Sequence, residues 1–200
     1  MSTNDPHRTP AWRPLFDGRD QAGWQMVGPG EFKLENGVLV TSGGMGLLWY
    51  TREKFGQAQI RVVFKLNGPK DNSGIFIRIP EPPAEPWVAV HQGYEIQIYN
   101  ESDEYHRTGC LYSLTKAQNL VDALVDQWNT ILITLDGPRT RVEVNGQLVT
   151  DYREGDPVPP KKIWYEPERG PRPESGYIGL QNHDDNSRIH FKEVSVRPLG

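Results

Sequence analysis

The sequence predicts an all-β protein, an antiparallel β-sandwich with jelly-roll topology. Two observations predict the sandwich. Apolar and polar residues alternate with period two in roughly a dozen short runs. Two of the links between such runs are Asn-Gly pairs, the strongest short-range hairpin signal.

The elements follow in order. "EFKLENGVLVTS" (31–42) has two alternating arms around Asn36-Gly37, and "TRVEVNGQLVTDY" (140–152) repeats the device at Asn145-Gly146. A type I′ turn needs positive φ at both central residues, which Asn and Gly reach cheaply. Further strands are expected in "GLLWYT", "QAQIRVVFKL", "SGIFIRI", "YEIQIYN", "GCLYSL", "NTILITLD", "GYIGLQN" and "RIHFKEVSVRP". In "QAQIRVVFKL", Ala58, Ile60, Val62, Phe64 and Leu66 share one side, the pattern of a sheet with one buried face. The single helical candidate is 115–128, "TKAQNLVDALVDQW", whose start reads equally as loop. Pro-rich stretches at 80–86 and 157–173 read as long surface loops, which in compact domains are often functional. Residues 1–13 read as a flexible tail and 14–200 as one domain.

Composition limits the function classes. The 20 Gly and 17 Pro in 200 residues agree with many turns. A net charge of −4 without a Lys/Arg block argues against nucleic acid or an anionic membrane as partner. One cysteine, Cys110, excludes an internal disulfide framework and a multi-cysteine zinc site. The chain shows no apolar run of signal-peptide or membrane-span length, so a cytoplasmic location is the expectation.

Strand parity singles out a polar strip. In "GYEIQIYN" (93–100), Ile96 and Ile98 point one way, and Glu95 and Gln97 the other. In "NSGIFIRIP" (72–80), Arg78 opposes three isoleucines; in "GYIGLQNHDD" (176–185), Gln181 opposes Ile178 and Leu180, and His183 continues its side. If these strands are neighbours, Arg78, Glu95, Gln97, Gln181 and His183 converge on one sheet face. A solvated face is the ordinary reading of such alternation, and Arg78–Glu95 reads equally as a cross-strand salt bridge. The sharper reading is a sugar site. Amides both donate and accept, matching hydroxyls, and His183 can move protons near neutral pH. His91, just before the strand, is close enough to contribute. Tyr99, Tyr112 and Trp164, with Tyr94, Trp87 and Tyr165, offer faces for a ring. Trp24, Trp49 and Trp128 read as packing, His106 and His190 as solvated, His7 as part of the tail, and Cys110 as buried and inert. "HDDN" (183–186) offers metal ligands but reads first as turn chemistry. A divalent metal is therefore allowed, with no cofactor firmly indicated.

Seven motifs in order resemble one family. They are "PLFDGRDQAGW" (14–24), "NSGIFIR" (72–78), "GYEIQI" (93–98), "TGCLY" (108–112), "QWNT" (127–130), "VNGQLV" (144–149) and "GYIGLQNH" (176–183). Together they resemble the 3-keto-disaccharide hydrolase family, formerly a domain of unknown function. The resemblance implies a jelly roll of the concanavalin A-like lectin/glucanase type, in agreement with the sandwich that the strands predict independently. It also implies action on sugars whose C3 hydroxyl has been oxidised to a ketone, with a sugar 3-dehydrogenase as pathway partner. The matching polar positions are Arg78, Glu95, Gln97 and His183.

Two glycoside mechanisms can be compared. Glucanases sharing this superfold carry Glu-x-Asp-x-x-Glu, whereas this strand reads Glu95-Ile96-Gln97-Ile98-Tyr99-Asn100. Retaining hydrolysis needs two carboxyls roughly 5 Å apart, and Glu101 is one residue out of register. A 3-keto sugar needs less, because its ketone acidifies the C2 proton. One base removes that proton, the C1 oxygen leaves, and water adds. Glu95 or His183 would be the base and the other the acid, with Arg78 and Gln97 at the enolate oxygen. The alternatives are a non-catalytic carbohydrate-binding module, and a structural sandwich whose polar face is merely wet.

Overall fold

The computed structural model describes residues 10–199. Its elements are β1 (Arg13–Phe16), β2 (Trp24–Val27), β3 (Glu31–Glu35), β4 (Val38–Ser42), β5 (Gly46–Tyr50), β6 (Ala58–Leu66), β7 (Ser73–Ile79), α1 (Pro86–Gln92), β8 (Tyr94–Ile98), β9 (Asn129–Asp136), β10 (Arg139–Val144), β11 (Gln147–Arg153), β12 (Tyr177–Asn182) and β13 (Ile189–Pro198). Two antiparallel sheets face each other. The larger runs β11-β10-β9-β6-β13-β4-β3, with β1 also paired to β13; the smaller runs β2-β5-β12-β7-β8. Both Asn-Gly turns form as expected, with φ of 50° and 80° at Asn36 and Gly37, and 49° and 79° at Asn145 and Gly146. The inward sides of both sheets, including Ile60, Val62 and Phe64 of β6 and Ile75, Ile96 and Leu180 opposite, form the main core.

The smaller sheet is buried on its outer side too. There Leu47, Trp49, Phe76 and Ile79 pack under Ala89 and Val90 of α1. That helix lies just past the first Pro-rich stretch, with Pro86 at its start, where the fixed φ of proline suits a helix and its missing N–H costs nothing. By contrast, residues 115–128 form no helix. Ala117, Val121 and Ala123 are buried while Leu120 and Leu124 are exposed, so the buried set does not follow a helical stripe. Asparagine side chains take the backbone groups a helix would have used: Asn129 bonds the N–H and C=O of Leu124, and Asn100 donates to Ala123 O. The expected strand 109–114 is reduced to one bridge, Ile96 to Leu111. It still caps the free edge of β8, through Gln97 N to Cys110 O at 3.0 Å and Tyr112 N to Glu95 O at 2.9 Å.

Other expectations change as well. Arg13 belongs to β1, and the Trp12 ring lies against the guanidinium groups of Arg61 and Arg197, so order begins before residue 14. The rest of the expected tail, residues 1–9 with His7, lies outside the described residues. Trp128 is not core: it is 42% exposed, flanked by the ammonium groups of Lys65 and Lys192. His190 is half-buried, with its Nε2 unpartnered. Cys110 is buried and free. No helix among the described residues is long and apolar enough to cross a membrane.

Arg78 overturns the parity argument. On β7, Ile79 pairs with Tyr177 and Phe76 with Gly179, so two residues oppose one and the strand bulges. Arg78 takes the extra step in the left-handed region, at φ 55°. Its side chain therefore leaves the outer face, and Ile79 turns onto that face instead. The guanidinium is fully buried and donates to Thr140 Oγ1 and to the carbonyls of Gly137, Arg139, Pro173 and Glu174, at 2.8–3.3 Å. Neither a salt bridge to Glu95 nor a substrate contact forms from there.

Arg78→Met is expected to lower unfolding free energy by about 3 kcal/mol or more, because it leaves several buried acceptors without a donor. Urea denaturation measures this. Unchanged stability with lost sugar binding would instead place Arg78 at a ligand.

Candidate active site

The site is built on three rungs across β8, β7 and β12. Phe76 of β7 pairs with Glu95 and with Gly179. Gly74 pairs with Gln97, and the same register continued brings Gln181 opposite Gly74. The next rung, at the strand ends, holds Tyr99, Asn72 and His183. Period-two pleating sends all three rungs to the outer face. The middle rung lacks a central side chain, and the Glu95 carboxyl leans into that gap. A Cβ at Gly74 would lie 2.7 Å from Glu95 Cγ and 2.9 Å from its Cδ, so only glycine leaves room for it.

Above the rungs is a cavity of about 660 Å³, the size of a small-ligand pocket. Of the residues predicted from sequence, Glu95, Gln97, Gln181, His183, Tyr99 and Tyr112 line it. His91 and Trp164 stand behind the lining: both pack on Trp87, which faces the cavity, at 6.0 and 4.9 Å between ring centroids. Tyr165 lines the wall, whereas Tyr94 faces the core and donates to Glu154. Asn72, His106, Lys162 and Glu166 also line the cavity and were not anticipated. His106 lines the cavity and is not simply solvated; the signal for it in the sequence is an aspartate three residues earlier. Lys162 and Glu166 come from the second Pro-rich segment, which arginines fasten in place. Arg169 donates to Pro159 O, Pro167 O, Ser113 and Glu166, while Arg172 donates to Gly93 O, His91 O, Glu168 O and Gly170 O.

The ionisable groups differ in environment. Glu95 is 7% exposed, and burial pushes its carboxyl up to about 8, against a smaller lowering by the Gln181 amide. At neutral pH it is mostly a protonated acid, hence a donor. Burial, with the Glu95 and Tyr165 charges adding to it, pushes the Tyr112 phenol up to about 12, so it too keeps its proton. Glu166 accepts from Lys162 N at 2.8 Å and from Arg169 at 3.1 Å. His183 and His106 each sit on an aspartate: Nδ1 to Asp184 Oδ2 at 2.6 Å, and Nδ1 to Asp103 Oδ1 at 2.7 Å. Partial burial opposes ionisation of Asp184, but hydrogen bonds from His183 and from the amides of Ser187 and Asn186 hold it below the usual range.

Two acceptors are left over. Gln97 Oε1 and Gln181 Oε1 are buried without a partner, although Gln97 Nε2 donates to Asn72 Oδ1 at 3.3 Å. Unpaired buried acceptors are costly, and a ligand rich in hydroxyl groups would satisfy both. "HDDN" is turn chemistry: Asp184 Oδ1 accepts the amides of Asn186 and Ser187. Among the described residues, no group of three or more His, Cys, Asp or Glu is arranged to hold a metal ion.

Solved structures share the fold. A Parabacteroides distasonis ATCC 8503 protein provisionally assigned as a glycosyl hydrolase superposes with a TM-score of 0.74 at 20% identity, covering 94% of each chain. A Bacillus subtilis protein of unknown function with a galectin-like fold gives 0.66 at 14% identity, again covering 94% of each. A carbohydrate binding module from Bacillus subtilis gives 0.57 at 14% identity, covering 88% of this chain and 95% of its own. Comparison with curated proteins gives no match. The family model of the 3-keto-alpha-glucoside-1,2-lyase-like domain matches residues 11–197, nearly the whole sequence, and the chain belongs to that family.

Proposed function

We propose that the chain cleaves 3-keto-glycosides or 3-keto-disaccharides by removing the C2 proton and expelling the C1 substituent, water then adding for net hydrolysis. The observation that carries this reading is the single buried carboxyl of Glu95 on the cavity floor, with no cation among the described residues paired to it. A retaining glycosidase needs a nucleophilic carboxylate beside a second carboxyl. Here Glu95 is mostly neutral, Glu166 is tied to Arg169 and an amide, and Asp103 and Asp184 are engaged by histidines. A neutral carboxyl is suited to donating a hydrogen bond to oxygen that gains charge.

On this reading the two residues that sequence leaves interchangeable take different roles. His183, its Nδ1 fixed by Asp184, has Nε2 available as base toward C2. Glu95 donates to the C3 oxygen as the enolate forms. Arg78 takes no part. Tyr112 and the amides of Gln97 and Gln181 bind ring hydroxyls. Such a substrate must be supplied by an enzyme class that oxidises the sugar C3 hydroxyl. A sugar-binding module is the second reading, favoured by the two unpaired amide oxygens and by the binding module among the fold neighbours.

Purified protein is expected to turn over 3-keto-trehalose and to leave trehalose intact. His183→Ala should lower kcat by roughly 100-fold or more, the usual worth of a general base. Binding of 3-keto-trehalose by calorimetry without cleavage would favour the module instead.

Activity that needs neutral Glu95 should fall as pH rises through about 8. Stability carries the same sign. A carboxyl raised from 4.5 to about 8 in the fold binds its proton more tightly there than when unfolded. Wild type should therefore lose stability as pH rises from 4.5 to 8, by on the order of a few kcal/mol. Glu95→Gln should lack this slope in urea titrations at pH 5 and pH 8.5.

Gly74→Ala should displace the Glu95 carboxyl. It is expected to lower kcat by about tenfold or more, since a misplacement near 1 Å is costly. Steady-state kinetics on 3-keto-trehalose checks it.

A further inference from the structure

The proposed chemistry leaves one proton unassigned. When the C1–O bond breaks, the departing oxygen needs a proton unless it is a stable anion. His183 has taken the C2 proton and Glu95 is placed at the C3 oxygen, so a third group is required.

His106 occupies the matching position. It lines the same cavity, on the segment that crosses the free edge of β8, whereas His183 follows β12. Two strand spacings, about 10 Å, separate β8 from β12. The His106 side chain is 28% exposed, against a floor carboxyl on a residue that is 7% exposed. It therefore belongs to the wall of the cavity and not to the floor that carries Glu95. Its ring packs edge-to-face on Tyr112, centroids 5.1 Å apart, and Tyr112 N donates to Glu95 O. Asp103 Oδ1 holds Nδ1 and also accepts the Tyr105 amide at 2.9 Å, leaving Nε2 as the free ring nitrogen.

We infer that His106, held by Asp103, is the proton donor to the departing C1 oxygen. The inference rests on the 3-keto-glycoside reading. In the first half-reaction, His183 Nε2 takes the C2 proton and the bonding pair moves into C2–C3, with charge on the C3 oxygen. That pair then forms C1=C2, the ketone returns, the C1–O bond breaks, and His106 Nε2–H protonates the leaving oxygen. The products are the free alcohol and a 2-hydroxy-2-enone. In the second half, neutral His106 takes a proton from water as its oxygen bonds to C1, and His183 returns its proton to C2. Both histidines end as they began, and water is the co-reactant.

Leaving-group dependence tests this. His106→Ala and His106→Gln are assayed on 3-keto-trehalose, whose alkoxide needs the proton, and on 4-nitrophenyl 3-keto-α-glucoside, whose phenolate does not. The expected loss in kcat/KM is roughly 100-fold or more on the first and below about tenfold on the second. His183→Ala should lose on both, and retained turnover of the nitrophenyl substrate shows that the variants fold. Equal losses on the two substrates, or none on 3-keto-trehalose, would overturn the role of His106 alone. A wild-type protein that cleaves neither overturns the parent reading and this assignment with it.

Discussion

The chemistry of the cavity depends on one carboxyl held out of water over a glycine. Glu95 is on a strand whose other face supplies Tyr94, Ile96 and Ile98 to the core, so its backbone cannot shift. Its side chain lies in the gap left by Gly74, beside the Gln181 amide and with no cation paired to it. Burial without an opposing charge favours the neutral form. A lysine or arginine in that gap would have ionised Glu95 and made it a poor donor.

Arg78 acts on the site at a distance. By turning into the seam it holds the carbonyls of Pro173 and Glu174, where the second Pro-rich segment ends. Arg169 and Arg172 hold the same segment nearer the cavity. Proline lacks an N–H, so such a segment has few backbone donors and cannot knit itself into a sheet. Three guanidinium groups supply the missing donors, Arg78 from outside the segment and Arg169 and Arg172 from within it. They fix a wall carrying Lys162, Tyr165 and Glu166 beside strands that carry the floor.

Most of the frame was legible in the sequence because strand parity is a local property. Both Asn-Gly turns follow from the φ that their residues reach, and the buried face of β6 and the shared side of Glu95, Gln97 and Gln181 follow from period two. Parity failed at Arg78, because a bulge is invisible to a pattern that counts residues. The helix at 86–92 was hidden by the prolines before it, and its apolar residues have a tertiary partner, the outer face of β5 and β7. Residues 115–128 misled in the opposite sense: their composition suits a helix, but Asn100 and Asn129 captured the backbone. His106 was missed because its partner Asp103 and its place at the cavity depend on how the chain beyond Tyr99 folds back along β8.

The helix also explains why a polar strip could become a site. An outer sheet face exposed along its whole length would leave Glu95 solvated and its carboxyl ordinary. Here α1 dries the half of that face above Trp49, Phe76 and Ile79, and Trp87 and Val90 continue as a wall of the cavity over the other half. The apolar half thus lowers the polarity around the polar half, and burial is the dominant cause of the Glu95 shift. A binding module can rely on exposed rings and wet amides. A proton-transfer site needs a donor that keeps its proton at neutral pH. The division of the face into a covered part and an enclosed part supplies that condition from packing alone.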